Sequence, residues 1–126
     1  MWYKIVAVVA FCGLATGVEV TITPGTLKGE LKKTDNGVEY AAFTAIPYAR
    51  PPVGDLRFQA PQSIDRWQGV YDATRAPPLC PQLSKVDFRQ DAPVLGQEDC
   101  LYLNVFVPKS ALKQPAKKLP VIFVIH

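Results

Sequence analysis

Charge of either sign is scarce in this sequence. Lysine and arginine number 14 against 11 acidic residues, and a formal net charge of +3 is too small to argue for nucleic acid or an anionic surface as partner. Lys109, Lys113, Lys117 and Lys118 do cluster, but they stand among Pro108, Pro115 and Pro120 and read as a solvated loop. No internal repeat, no low-complexity tract and no Asn-x-Ser/Thr acceptor occurs. Histidine is nearly missing: His126 is the only one, which leaves a zinc site short of ligands. Nor is there an apolar run of the roughly 20 residues that span a membrane. What remains, with 48% hydrophobic and 20% charged residues in 126, is the composition of one globular domain.

Residues 1–17 stand apart. Met1-Trp2-Tyr3-Lys4 carries one positive charge, Ile5 to Ala15 is apolar apart from the small Cys12 and Gly13, and Ala15, Thr16 and Gly17 are small. This is the pattern of a secretory signal peptide cut near position 17, so the protein is expected to be secreted. Cleavage removes Cys12 and leaves Cys80 and Cys100, an even pair in an oxidising compartment, for which a disulfide is the expectation. Closing a loop of about 20 residues stabilises by roughly 3 kcal/mol in the chain-entropy model.

After the leader, Val18 to Thr23 alternates and Pro24-Gly25 turns the chain. Thr26 to Lys33 and Val38 to Phe43 then flank Asp35-Asn36-Gly37, where Asn-Gly predicts a type I′ hairpin turn and a small antiparallel β unit. From Ile46 to Pro93, Pro47, Pro51, Pro52, Pro61, Pro77, Pro78, Pro81 and Pro93 forbid long helices and leave extended turns, with at most one helical turn at Leu83 to Phe88. A disordered linker could hold the same prolines, but it would not expose Tyr48, Leu56, Phe58, Trp67, Val70 and Tyr71. Leu101, Leu103, Val105 and Val107 alternate with Tyr102, Asn104 and Phe106, the period of a strand, and Pro108 closes it. Val121 to Ile125 is apolar without alternation, as in a strand buried on both faces of a helix-covered sheet. Such a strand needs cover that the following residue cannot supply, so the sequence is expected to be an N-terminal fragment.

Periodicity alone fits a half-buried strand of any secreted β-rich domain, but the string around it is more specific. Glu98-Asp99-Cys100-Leu101-Tyr102-Leu103-Asn104-Val105-Phe106-Val107-Pro108 resembles, at all eleven positions, the second signature of the type-B carboxylesterases, the α/β-hydrolase family that includes the cholinesterases. Phe43-Thr44-Ala45-Ile46-Pro47-Tyr48-Ala49, Pro51-Pro52-Val53-Gly54, Leu56-Arg57-Phe58, Pro61, Trp67 and Cys80-Pro81-Gln82 resemble the same family, so the likeness covers about residues 18–126. One residue departs. Position 45 is commonly glycine in the family, and Ala45 requires either φ < 0 or some strain there.

The resemblance implies an α/β-hydrolase fold. Residues 18–126 would supply only its N-terminal, β-rich part: the small antiparallel hairpin unit, the proline-rich extended segment and the first strands of the central mixed sheet. It also implies serine-based hydrolysis of a small carboxylic ester to alcohol and acid, without cofactor, metal or nucleic acid. The family's nucleophile lies on a Gly-x-Ser-x-Gly turn. None occurs here: Ser63, Ser84 and Ser110 lack the flanking glycines, so nucleophile, base and acid are expected beyond residue 126 and the chain itself is expected to be inactive. His126 matches the histidine opening the family's His-Gly-Gly oxyanion-hole motif, and would support that hole rather than donate to the oxyanion.

Two further expectations come with the family. Arg57 and Glu98 would form a bidentate ion pair inside the fold, the alternative being two exposed, unpaired charges. Cholinesterase-like members present a tryptophan from the disulfide loop to a quaternary ammonium. Residues 81–99 hold Phe88 and no tryptophan, which favours neutral esters over choline esters. The rival class is a catalytically silent, neuroligin-like adhesion protein, which would keep the same motifs on the same fold.

Overall fold

The structure, a computed structural model, describes residues 17–83, 93–114 and 118–125. Residues 1–16 of the expected signal peptide, residues 84–88 of the helical turn expected at Leu83 to Phe88, and His126 lie outside the described residues. Strands β1 (Gly17–Ile22) and β2 (Gly25–Lys33) form a hairpin around Thr23-Pro24, with Gly17 opposite Glu30 and Ile22 opposite Gly25. Strand β3 (Glu39–Pro47) returns antiparallel beside β2.

The turn between β2 and β3 differs from expectation. A type I′ turn needs φ > 0 at both central residues. Here Gly37 has φ 79°, while the non-glycine residues with positive φ are Ala45 and Phe58, so Asn36 is not one of them. Gly37 N–H donates to the Thr34 carbonyl at 2.8 Å and Thr34 N–H to the Val38 carbonyl at 3.0 Å. Asp35-Asn36-Gly37 is therefore a three-residue loop whose glycine ends it in the left-handed region. The Thr34 hydroxyl takes the Val38 N–H at 3.1 Å.

The proline-rich segment that follows holds a 3₁₀ turn at Gly54–Leu56 and two short strands, β4 (Val70–Asp72) and β5 (Gln82–Leu83), and a third, β6 (Val94–Leu95), comes directly after it. Strand β7 (Tyr102–Pro108) and one helical turn, α1 (Lys109–Leu112), come next. The main sheet runs β1-β2-β3-β7, with β4 added parallel to β2 at Thr26–Lys28, and β5 pairs with β6 apart from it. Leu27, Ala41, Phe43, Ile46 and Ala73 form the buried centre, and Val20, Leu31, Trp67, Tyr71, Leu103 and Leu112 pack around it. Gly29 lies under the Phe43 ring, where a Cβ would stand 2.6 Å from both the ring and the Ala42 carbonyl.

The β3–β7 ladder breaks once. Phe43 pairs with Val105 and Ile46 with Leu103, so β3 advances three residues while β7 advances two. Strict alternation would send Ile46 to the face opposite Phe43; the extra residue of a β-bulge keeps both in one core. Ala45 stands in the bulge at φ 53° and is 5% exposed. Of the two alternatives open for this alanine, the structure shows the strained one.

Val121 to Ile125, expected as a doubly buried strand, forms no strand, and its side chains are 77–89% exposed. Such a strand needs a ladder neighbour and a layer on each face. At that exposure neither lies against the run among the described residues.

Alanine in the left-handed region costs about 1–2 kcal/mol that glycine avoids, while glycine gives back about 0.5–1 kcal/mol in backbone entropy. Ala45→Gly is therefore expected to raise stability by roughly 0.5 kcal/mol, and Ala45→Val to lower it by about 2 kcal/mol or more, since a β-branched side chain tolerates φ > 0 least. Urea unfolding at constant m-value measures both.

Candidate functional site

The signature segment works by joining separate parts of the chain. Cys100 is bonded to Cys80, with Cα atoms 5.1 Å apart, and this fastens the end of the proline-rich segment to the residue pair before β7. Arg57 and Glu98 meet beside it, Nε to Oε1 at 2.6 Å and Nη2 to Oε2 at 2.7 Å, a fork-to-fork pair. The carboxylate beside it raises the pKa of the Arg57 guanidinium further, first through the hydrogen bond and then through charge. The pair lies at the surface, with side chains 52% and 39% exposed, rather than inside the fold. Gly96 closes the base of the disulfide loop at φ 93°, where a Cβ would run into the Leu79 and Cys80 carbonyls.

Next along the segment, the Tyr102 hydroxyl donates to Asp99 Oδ1 at 2.9 Å. Burial, and then the Asp99 carboxylate, push the Tyr102 phenol up to about 12. Asn104 has the least expected task. Its Oδ1 accepts the Ala45 N–H at 3.0 Å, while the Ala45 carbonyl accepts from the Tyr71 hydroxyl at 2.8 Å. Both orphaned groups of the bulge are thereby satisfied. Phe106 meets Tyr40 edge to face, with centroids 6.2 Å apart.

On the other face of β7, Leu103, Val105 and Val107 line an open apolar groove of about 570 Å³ together with Phe43 and Ile46. Ser63 borders this groove, and Ser110 lies in α1. Ser84 and the sole histidine, His126, fall outside the described residues, so no serine–histidine pair is present among the described residues. No group of three potential metal ligands gathers among them either.

Sequence reasoning passed over three contacts, two that hold the proline-rich segment and one that ties α1 to β3. Arg50 grips Asp65 through Nη2 at 2.7 and 2.9 Å. Trp67 donates its indole N–H to the Thr26 carbonyl at 3.0 Å and stacks, tilted, on Tyr71 with centroids 5.3 Å apart. Lys109 reaches Glu39 at 2.8 Å, and that hydrogen bond and charge hold the Glu39 carboxyl below the usual range. A signal existed only for the aromatic pair, whose size argued against a linker.

Residues 16–126 match a family model described as "Carboxylesterase family". The chain belongs to the carboxylesterase family. It is 42% identical over 102 residues to juvenile hormone esterase of Tribolium castaneum, covering 81% of this chain and 16% of that protein. It is 38% identical over 108 residues to venom carboxylesterase-6 of Apis mellifera, covering 86% and 19%. Para-nitrobenzyl esterase of Bacillus subtilis (strain 168) is 44% identical over 108 residues, covering 85% and 20%. The chain thus spans at most about a fifth of the length of these relatives. Membership in the carboxylesterase family implies the α/β-hydrolase fold, and the described residues are β-rich, mostly antiparallel and poor in helix.

Two measurements probe the segment. Cys100→Ser, or reduction of the wild type, is expected to lower stability by about 3 kcal/mol in urea unfolding, the entropy of a loop of about 20 residues. Tyr102 is expected to titrate near 12 by tyrosinate absorbance, against about 10 for a free phenol. A folded pKa raised in this way contributes stability that is complete below about pH 10 and is lost as pH rises through 12. Tyr102→Phe is expected to flatten the stability profile over that window.

Proposed function

We propose that the protein containing these residues is a secreted serine hydrolase of neutral carboxylic esters. In this reading the chain forms part of the enzyme's frame rather than its catalytic centre. The observation that carries it is the family match over residues 16–126, and the relatives' printed names are those of esterases acting on ester bonds. The neutral substrate class rests on the loop 81–99, which offers no tryptophan to a quaternary ammonium. Secretion rests on the leader-like residues 1–17 and on the disulfide. The adhesion alternative gains no support from these names.

Catalysis by these 126 residues alone has no chemical basis in the sequence. No serine stands in a Gly-x-Ser-x-Gly turn, and the oxyanion donors that follow the histidine in the family motif are not among the residues. Removing even one oxyanion donor typically costs about 10² to 10³ in rate. The chain is expected to match a buffer and carrier-protein control on a nitrophenyl ester and to take no organophosphate label. The product of a reading frame extended through a Gly-x-Ser-x-Gly is expected to hydrolyse the ester and to be labelled on that serine. Labelling of Ser63, Ser84 or Ser110 with turnover would overturn the first expectation; a longer product that neither turns over nor labels would overturn the second.

A further inference from the structure

The sequence holds two asparagines, Asn36 and Asn104, and the structure sets them in opposite circumstances. Asn104 is held in the sheet. Its Oδ1 accepts the Ala45 N–H at 3.0 Å, and the next residue, Val105, lies in the β3–β7 ladder opposite Phe43 with a branched Cβ beside its nitrogen. Asn36 stands exposed at the tip of the β2–β3 loop and is followed by Gly37, where a Cβ would meet nothing within 4 Å. No apolar residue stands from Lys32 to Gly37, the composition of a loop that faces water whatever packs on the sheet elsewhere.

An asparagine side chain is open to attack by the backbone nitrogen of the residue after it. The Gly37 nitrogen gives its proton to solvent base and forms a bond to Asn36 Cγ; the side-chain nitrogen takes up a proton and leaves as ammonia. Water then opens the five-membered succinimide at one carbonyl or the other, leaving aspartate or isoaspartate. Asparagine and water thus become an acid and ammonia, and nothing is oxidised or reduced. Glycine crowds the attacking nitrogen least, because it has no Cβ. The folded loop holds that same nitrogen back. Gly37 N–H donates to the Thr34 carbonyl at 2.8 Å, and the Thr34 N–H and hydroxyl are both tied to Val38.

We propose that Asn36 is a site of spontaneous deamidation, with water as co-reactant, and that the hydrogen bond from Gly37 to Thr34 is the brake on it. Attack needs that bond broken, and an amide hydrogen bond of ordinary net strength corresponds to about two- to tenfold in rate. Asn104, its amide engaged by the bulge, is the stable one of the two. The reaction also bears on the sheet. Isoaspartate adds one carbon to the backbone of a three-residue loop, and the length of that loop sets Lys33 opposite Glu39. None of this depends on ester hydrolysis.

The test follows the full-length protein at mildly alkaline pH, folded and in urea with the disulfide intact, by peptide mass mapping and isoaspartyl methyltransferase labelling. The expected result is a one-dalton gain and a methyl label at Asn36 in both states, about two- to tenfold slower in the folded one. Asn104 is expected to stay unchanged while the protein is folded. Thr34→Ala, which takes the side-chain partner from the Val38 N–H, is expected to speed the folded reaction and leave the reaction in urea unaltered. Equal rates in the two states, a faster folded reaction, or Asn104 reacting first in the folded protein would each overturn the proposal. So would a folded rate indifferent to Thr34→Ala. A folded protein that stays intact while the unfolded chain reacts would show the loop locked or covered, and would overturn it as well.

Discussion

Much of the sheet depends on one inserted residue. At Thr44–Ala45, β3 takes an extra step, and the backbone groups set free are claimed by side chains from elsewhere: Asn104 of β7 takes the Ala45 N–H and Tyr71 of β4 gives its hydroxyl to the Ala45 carbonyl. Thr44 completes the arrangement, its N–H bonding the Ala73 carbonyl at 2.8 Å and its hydroxyl the Arg75 carbonyl at 2.6 Å. An unsatisfied buried donor or acceptor costs about 1–3 kcal/mol, comparable to the strain of an alanine at φ > 0, so the bulge persists only while both partners are in place. In return, Phe43 and Ile46 share one face and the core stays continuous across the break.

Magnitudes rank the remaining ties. The ion pairs Arg50–Asp65, Arg57–Glu98 and Lys109–Glu39 are largely exposed, and pairs of that kind contribute about 0–1 kcal/mol each. The disulfide is worth several times as much in the chain-entropy model. Stability therefore comes mainly from the covalent tie and the small core, and the ion pairs chiefly fix geometry. The fork-to-fork arrangement of Arg57 on Glu98 specifies how the loop around Gly54–Leu56 is aimed at the base of the disulfide.

What could be read from sequence follows from which patterns are local. The alternation of Leu103, Val105 and Val107 with Asn104 and Phe106 is a local pattern, and the strand and its two faces follow from it. The cysteine pair was legible because only two cysteines follow residue 17. The turn at Asn36-Gly37 was not, because the dipeptide can occupy the centre of a tight turn or close a longer one, and the register of Lys33 against Glu39 decides. At Val121 to Ile125 the want of cover was legible, but the expected strand is not formed, since composition states what surroundings a strand wants without supplying them. Ala45 lay between these cases, since its departure from the family's glycine marked the position while leaving the sign of φ open.

The signature that places the chain in its family does no chemistry in the described residues. Glu98 holds Arg57, Asp99 holds Tyr102, Cys100 holds Cys80, Leu103 packs on the core and Asn104 fills the bulge. Each residue meets a partner distant in sequence or fixed in geometry, and substituting one would leave that partner unpaired. That is a physical reason for a long structural string with no nucleophile in it. It also explains why such a string identifies a frame rather than a reaction. One fold can carry different functions, since function lives in the site rather than in the frame. The step from family to activity therefore rests on a single residue type in one strained turn, and no number of further matches in the frame would shorten it.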